Sequence, residues 1–166
     1  MIEIRPSALP LNHPAGLLAT WFGAGLLRPA SGTWGSAAAL PFAWIILSVA
    51  GPWYLLAAAV FIFAIGCWAA DVYEKADENK DPGAVVIDEV AGQWLVLCVA
   101  PLEPAAFFAG FILFRIADVL KPWPANLADR HVKGGFGIML DDVLAALYAL
   151  AALYSLTLIV ENWDVV

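Results

Sequence analysis

Carboxylates and cations gather in two blocks of this 166-residue chain. The first block runs from Asp71 to Glu89 and the second from Arg115 to Asp142. Within the first block, Asp88 and Glu89 are adjacent and directly precede an apolar run that starts at Val90. Two acids at the edge of an apolar segment repel each other unless a cation neutralises them, and hard oxygen ligands suit magnesium. The pair therefore indicates a metal site at the mouth of a helix.

The second block begins with cations inside a helix. Arg115, Asp118 and Lys121 follow one another at spacings of three, so they share one helical face. A purely structural ion pair between Arg115 and Asp118 is the alternative explanation of this spacing. Pro122 and Pro124 then end the helix and hold Lys121 near the surface. The segment therefore predicts a cationic group that can bind an anion.

Three glycines, at 134, 135 and 137, lie further along the second block. Glycines let backbone amides approach a ligand oxygen closely, as phosphate-binding nests do, although turns use glycine far more often. Their charged neighbours, which could hold an anion or a metal, are Asp129, Arg130, Lys133, Asp141 and Asp142. Asp141 and Asp142 are also expected at the start of the final helix, where one of them could act only as its N-cap.

Another glycine-rich segment, Ser31 to Ser36, precedes the first long apolar run. It is either a loop with a helix cap or a polar lining of the same site, to which Thr33 and Ser36 would contribute. His131 could protonate a leaving group, but a lone histidine in a polar loop is more often only solvated. Both interpretations of each feature stay open at the level of the sequence.

The segments that must position these residues are strongly apolar. The chain is 63% hydrophobic and 14% charged, with a mean hydropathy of +0.81, whereas soluble domains carry roughly 25% charged residues. The runs long enough, or nearly long enough, to cross a bilayer are Ser36 to Ala50, Trp53 to Ala70 and Val143 to Val160. Gly51-Pro52 predicts a hairpin between the first two.

The run from Val90 to Phe114 is broken by Pro101, Glu103 and Pro104, so it predicts either two short spans or a re-entrant pair. The sequence thus predicts an all-α, integral-membrane helical bundle that forms a single domain over residues 1–166.

The cations predict the orientation of this bundle. If the chain crosses the bilayer at every apolar run, all eight Lys and Arg residues fall on one side, which the positive-inside rule makes cytoplasmic. They are Arg5, Arg28, Lys75, Lys80, Arg115, Lys121, Arg130 and Lys133. The net charge of −7 does not suit nucleic acid, so no nucleic-acid partner is expected.

Taken together, these motifs resemble phosphatidylglycerophosphatase A, a family of small bacterial inner-membrane lipid phosphatases. The resemblance extends from about Leu17 to Leu158. It rests on Gly32-Thr33-Trp34-Gly35-Ser36, on Asp81-Pro82 with Asp88-Glu89 and Gly92, on Phe114-Arg115 with Asp118 and Lys121-Pro122-Trp123-Pro124, and on Asp129-Arg130 leading to Gly134-Gly135-Phe136-Gly137-Ile138-Met139 and Asp141-Asp142. It implies magnesium-dependent hydrolysis of phosphatidylglycerol phosphate to phosphatidylglycerol and inorganic phosphate, by a helical bundle around a buried central helix.

The resulting site hypothesis combines the residue chemistry with this resemblance. The predicted magnesium ligands are Asp88, Glu89 and Asp142, assisted by Asp129 or Asp141. The predicted phosphate ligands are Arg115, Lys121, Arg130, Gly134, Gly135, Thr33 and Ser36, and Asp118 completes the catalytic set. A water activated by the metal is the first choice of nucleophile, because no Ser-His or Cys arrangement presents itself. The alternative is Asp129 or Asp141, which would form an aspartyl-phosphate.

Two other classes of membrane protein are weighed against the lipid phosphatase. A non-enzymatic transport or assembly component could also use intramembrane Arg-Asp pairs and broken helices. That class predicts polar residues in both halves of the bilayer, whereas here they cluster on the cationic side. A phosphatidyltransferase would need a row of aspartates along one helix, which this sequence lacks.

Overall fold

Proline and glycine set the ends of several helices in the computed structural model, which describes residues 2–77 and 82–163. The helices are α1 (Pro14–Ala19), α2 (Ser31–Val49), α3 (Pro52–Ala76), α4 (Ile87–Leu97), α5 (Pro104–Leu120), α6 (Ala125–His131) and α7 (Gly134–Trp163). Helices α1, α3 and α5 each begin with proline, whose fixed φ suits the first turn. Gly51, with φ of 88°, forms the predicted hairpin between α2 and α3. The all-α prediction is confirmed.

Short elements complete the N-terminal part of the chain. Strands β1 (Glu3–Ile4) and β2 (Leu27–Arg28) form an antiparallel pair in which Glu3 lies opposite Arg28. Two 3₁₀ turns cover Ala24–Leu26 and Pro82–Ala84. The second turn leads directly into α4, so its position affects the start of that helix.

Within the part of the chain that the structure describes, three helices are long and apolar enough to cross a membrane. The candidate spans are Ser31–Val49, Pro52–Ala76 and Gly134–Val160, whose mean hydropathies are 1.4, 2.2 and 2.3. At 1.5 Å per residue, even the shortest extends about 28 Å, which approaches the thickness of a hydrocarbon core. Their outward side chains include Trp53, Phe61 and Leu147, which are half-exposed or more and suit contact with lipid.

Helix α4 is the buried centre of the bundle. It packs against α2, α3, α5 and α7, and most of its side chains are buried. Its 11 residues extend only about 16 Å, too little to cross a bilayer alone. The chain then turns and returns through α5, which has 17 residues, so the predicted break falls between Leu97 and Pro104. The run thus forms two short helices inside the bundle.

The start of the last helix differs from the sequence prediction. Asp141 and Asp142 were expected at its N-cap, but α7 begins at Gly134, seven residues earlier, so neither aspartate caps it. The helix includes the glycines because they let it pack closely on its neighbours. A Cβ at Gly135 would collide with the Cys67 carbonyl of α3. The N-cap prediction was therefore wrong, and both aspartates lie within the helix, buried against the bundle.

Candidate active site

A polar cavity of about 470 Å³ opens at the end of the bundle where α4 and α7 begin and α5 ends. It is lined by Glu74, Gly83, Val85, Asp88, Glu89, Asp118, Lys121, Asp129, Val132, Lys133, Gly134, Gly137, Ile138, Asp141 and Asp142. Both blocks of charge identified in the sequence contribute to it. The structure therefore brings together seven of the predicted catalytic residues, from Asp88 to Asp142, in one place.

Three carboxylates converge in this cavity. Asp88 and Glu89 lie in the first turn of α4, and Asp142 lies two turns into α7. One oxygen from each carboxylate is within 4.8 Å of the other two. Oε2 of Glu89 and Oδ2 of Asp142 are buried and have no hydrogen-bond partner among the described residues. Because unpaired buried oxygens are costly and oxygen donors suit magnesium, this trio fits a bound divalent cation.

Arg115 lies behind the carboxylates rather than in the cavity wall. Its guanidinium is 2.7 Å from Asp118, one turn along α5, and 3.8 Å from Glu89. It also donates a 3.4 Å hydrogen bond to Ser36 of α2. A side chain at Gly32 would overlap this cluster, so only glycine lets the start of α2 approach it. In this position Arg115 orients Glu89 and Asp118 and offsets their charge.

Lys121 connects two aspartates across the cavity. Its ammonium group is 2.6 Å from Asp129 of α6 and makes a second, very short contact with Asp141 of α7. Burial lowers the pKa of Lys121, but its hydrogen bonds to Asp129 and Asp141 outweigh that effect, and its pKa rises above the usual range. Lys121 is therefore firmly charged. An ammonium has three donors, so one remains for a ligand.

The glycine-rich segment forms the first turn of α7 rather than a loop. Gly134, with φ of 71°, and Gly137 line the cavity, whereas Gly135 backs onto α3. The first amides of an α-helix lack intrahelical partners and carry a partial positive charge. At this helix N-terminus the Gly135 amide already donates to the Asp71 carboxylate of α3. Phosphate binding by the glycine segment stays a prediction, for which the other first-turn amides are available.

The other predicted phosphate ligands lie outside the cavity wall. Thr33 and Ser36 belong to the first turns of α2, and Ser36 is fully buried beside Arg115. Arg130 is exposed on α6. The exposed His131 makes a 3.0 Å contact with the Leu127 carbonyl of its own helix. Their roles in binding or proton transfer stay predictions, and the geometry gives none of the four a wall position.

Seven residues of the cavity wall were not among the predicted site residues: Glu74, Gly83, Val85, Val132, Lys133, Gly137 and Ile138. Glu74 had been interpreted as part of a solvated helix end, and only the antiparallel packing of α3 on α7 brings it to the cavity. Gly83 precedes α4 and gave no signal in the sequence. Lys133 did give one, because it directly precedes the glycines. It forms no ion pair with any described residue, unlike Arg115 and Lys121.

Burial raises the pKa values of the two carboxyl groups at the start of α4. Burial, opposed in part by a hydrogen bond with Asp88, raises the pKa of Glu89 to about 8. Burial and then the charge of Glu89 raise the pKa of Asp88 well above its usual range. Glu89 therefore keeps its proton at neutral pH until a cation replaces it. Metal binding at this site should release protons.

We predict that the metal-free protein loses stability as the pH rises from about 4.5 to about 8. In this window the folded state keeps a proton on Glu89 that the unfolded chain has released, so a rising pH favours unfolding. The free energy of unfolding, measured across this range with a chelator present, checks the prediction. Glu89→Gln should flatten the slope, and an equally steep slope in that variant would contradict the assignment.

Comparisons with known proteins identify the family to which the chain is similar. The family described as Phosphatidylglycerophosphatase A matches residues 17–157. The chain is 40% identical over 158 residues to a Haemophilus influenzae protein named Phosphatidylglycerophosphatase A, covering 94% of this chain and 97% of that protein. It is 38% identical over 154 residues to an Escherichia coli protein of the same name, covering 92% and 88%. No solved structure matches.

These matches extend over nearly the whole helical bundle and include every helix that lines the cavity. The chain therefore belongs to the phosphatidylglycerophosphatase A family of phosphoric monoester hydrolases.

Proposed function

We propose that this protein hydrolyses phosphatidylglycerol phosphate at the cytoplasmic face of the bacterial inner membrane and that magnesium bound by Asp88, Glu89 and Asp142 supports the reaction. The observation that carries the proposal is the convergence of these three carboxylates in a cavity that also contains Lys133 and the start of α7. When bound, the cation would offset negative charge on the phosphate and lower the pKa of a nearby water. The apolar spans would hold the acyl chains beside the site.

The location at the cytoplasmic face follows from charge. Arg115, Lys121, Arg130 and Lys133 lie at or near the end of the bundle that contains the cavity. The opposite end, at Gly51-Pro52 and 98–103, has no Lys or Arg. Because cationic loops stay on the cytoplasmic side, we place the cavity there. A lipid phosphate in the inner leaflet would then reach the cavity without leaving the membrane.

Within the cavity, we propose that Lys133 and the first amides of α7 bind the phosphate. Arg115 is engaged by Asp118 and Glu89, and Lys121 by Asp129 and Asp141. Lys133 is the wall cation that no described carboxylate neutralises, and it directly precedes the helix N-terminus. An ammonium without an ion pair to any described residue, beside a helix N-terminus, offers a phosphate dianion both charge and hydrogen bonds.

We predict that Lys133→Ala raises KM for the lipid phosphate about tenfold while kcat changes little, because it removes a contact made before and during the reaction. Lys133→Arg should recover most of the loss. Steady-state phosphate release at several lipid concentrations checks this. Arg28→Ala is the control, since Arg28 is an exposed cation that lies outside the cavity wall. A larger effect from Arg130→Ala than from Lys133→Ala would contradict the assignment.

For the nucleophile, we propose water rather than an aspartate. Both candidate aspartates, Asp129 and Asp141, already share the charge of Lys121, which weakens either as a nucleophile. Water would attack the phosphorus as the bond to the glycerol oxygen breaks, leaving inorganic phosphate and a free hydroxyl on the lipid. Acid quenching of a single turnover with phosphorus-labelled substrate tests this. A labelled protein intermediate would favour the aspartate.

The proposed activity itself is tested with purified protein in detergent. It should release inorganic phosphate from phosphatidylglycerol phosphate and leave phosphatidylglycerol. Transport needs a sealed membrane whereas hydrolysis does not, so turnover in micelles separates the enzyme from a transport component. Phosphatidate and lysophosphatidate, tested in parallel, measure how far the headgroup determines the choice of substrate. A folded protein that binds magnesium and releases no phosphate from any of these lipids would overturn the proposal.

A further inference from the structure

The N-terminal segment packs onto the segment that introduces the metal carboxylates. Arg5 follows strand β1, and its Nη2 donates a 2.6 Å hydrogen bond to the carbonyl of Gly83. The Ser31 hydroxyl at the start of α2 donates a 2.5 Å hydrogen bond to the same carbonyl. Gly83 lines the cavity and lies five residues before Asp88. Two donors from distant parts of the chain therefore hold one oxygen at the rim of the site.

Other contacts fix the two sides of this arrangement. The amide of Arg5 donates to the Leu26 carbonyl at 2.9 Å, so the backbone of Arg5 is held beside strand β2. The amide of Val86 donates to the Ala19 carbonyl at 2.8 Å, immediately before α4 begins. The segment from Gly83 to Val86 is thus held at both of its ends. Its position determines where the first turn of α4, with Asp88 and Glu89, enters the cavity.

We infer that Arg5 is a positioning residue for the metal site: by holding the Gly83 carbonyl, together with Ser31, it fixes Asp88 and Glu89 at the distance from Asp142 that a divalent cation needs. Arg5 lies outside the part of the chain that matches the family, residues 17–157. The N-terminal segment would therefore be a part of the active-site framework. The inference rests on the proposed magnesium site but not on the identity of the lipid.

The segment also has an anchor that does not involve Gly83, which offers a matched control. The hydroxyls of Ser7 and the buried Tyr73 are 3.1 Å apart, and the Ala8 amide donates to the same Tyr73 oxygen at 3.1 Å. Ser7→Ala removes the hydroxyl's contacts with Tyr73 and with the Leu9 carbonyl and leaves both the Ala8 hydrogen bond and Arg5. A general loosening of the segment would affect Ser7→Ala and Arg5→Ala alike, whereas positioning of the metal site would affect Arg5→Ala alone.

The test measures magnesium binding to full-length protein by calorimetry without substrate, and then phosphate release as a function of magnesium. Arg5→Ala should weaken magnesium binding about tenfold, as loss of groups that orient metal ligands does, and should raise the half-saturating magnesium equally. At saturating magnesium kcat should stay within about twofold of the wild type. Arg5→Lys should recover part of the affinity, because its ammonium can still donate to the carbonyl.

Ser31→Ala removes the second donor and should shift the affinity in the same direction, which keeps the inference testable if Arg5→Ala does not fold. Unchanged magnesium affinity in folded Arg5→Ala and Ser31→Ala would overturn the inference, as would an equal loss in Ser7→Ala. Calorimetry separates this result from failure of the proposed function. If the wild type binds magnesium but hydrolyses no lipid, the proposed function is wrong. The effect of Arg5→Ala on magnesium affinity can still be measured in that case.

Discussion

Asp142→Asn should lower kcat/KM for the lipid phosphate by about 10³-fold or more, the size of loss that removal of one electrostatic group at a reacting centre produces. The variant keeps the volume of the side chain and removes one of the three charges that converge in the cavity. Magnesium affinity, measured by calorimetry, should fall with the activity. Phosphate release under saturating lipid and magnesium checks the first part of the prediction.

The thermal stability of Asp142→Asn shows whether a loss of activity comes from the site or from misfolding. Asp142 is 3% exposed and lies beside two other acids, so the neutral Asn avoids the cost of burying a charge there in the metal-free state. The thermal midpoint with a chelator should therefore be no lower than that of the wild type. Glu103→Gln, at the opposite end of the bundle and outside the cavity, should keep full activity. A strongly destabilised Asp142→Asn, or one that retains activity, would contradict the role of Asp142 as a metal ligand.

Removal of magnesium should abolish phosphate release and lower the thermal midpoint, and added magnesium should restore both. The physical reason is that the buried carboxylates bind the cation only in the folded state, so binding stabilises that state by mass action. At a magnesium concentration about 100 times the dissociation constant, the gain is about 2.7 kcal/mol. A titration of the thermal midpoint with magnesium measures it.

The same titration on Asp142→Asn and on Glu89→Gln provides the comparison, because each lacks one predicted ligand. Both should show a much smaller rise in the midpoint. Activity that survives complete chelation in the wild type would exclude the proposed cofactor, while leaving family membership unaffected. Equal rises in all three proteins would show that magnesium binds elsewhere.

The sequence was sufficient to predict the helical bundle and the chemical character of its polar end. The apolar runs, Gly51-Pro52 and the break before Pro104 act through local composition and backbone geometry, so they could be interpreted without tertiary information. Asp88 and Glu89 were identifiable because adjacent acids at an apolar edge are costly wherever they occur. The resemblance to phosphatidylglycerophosphatase A could be recognised because its motifs are local and ordered along the chain. The match to the family confirmed it.

The start of α7 shows where local evidence failed. Glycines at 134, 135 and 137 predicted a loop because glycine is unfavourable inside an isolated helix. Here Gly135 packs against the Cys67 carbonyl and Gly137 against Val132, where a larger residue would collide. Close packing between α3 and α7 therefore favours the helix over the loop. That contact joins residues far apart in sequence, which composition near residue 134 could not indicate.

The pairing of charges was likewise decided only by the tertiary structure. The sequence alone determined that the four acids and four cations of the second block could meet an anion and a metal. Which cation each acid neutralises depends on how α5, α6 and α7 cross, because an ion pair forms over a few ångströms and each helix turn moves a side chain by more than that. The fold places Arg115 behind Glu89 and holds Lys121 between Asp129 and Asp141. It thereby leaves Lys133, at the helix N-terminus, without an ion pair to any residue that the structure describes. It also brings Arg5 to the rim of the cavity from a segment that carried no motif.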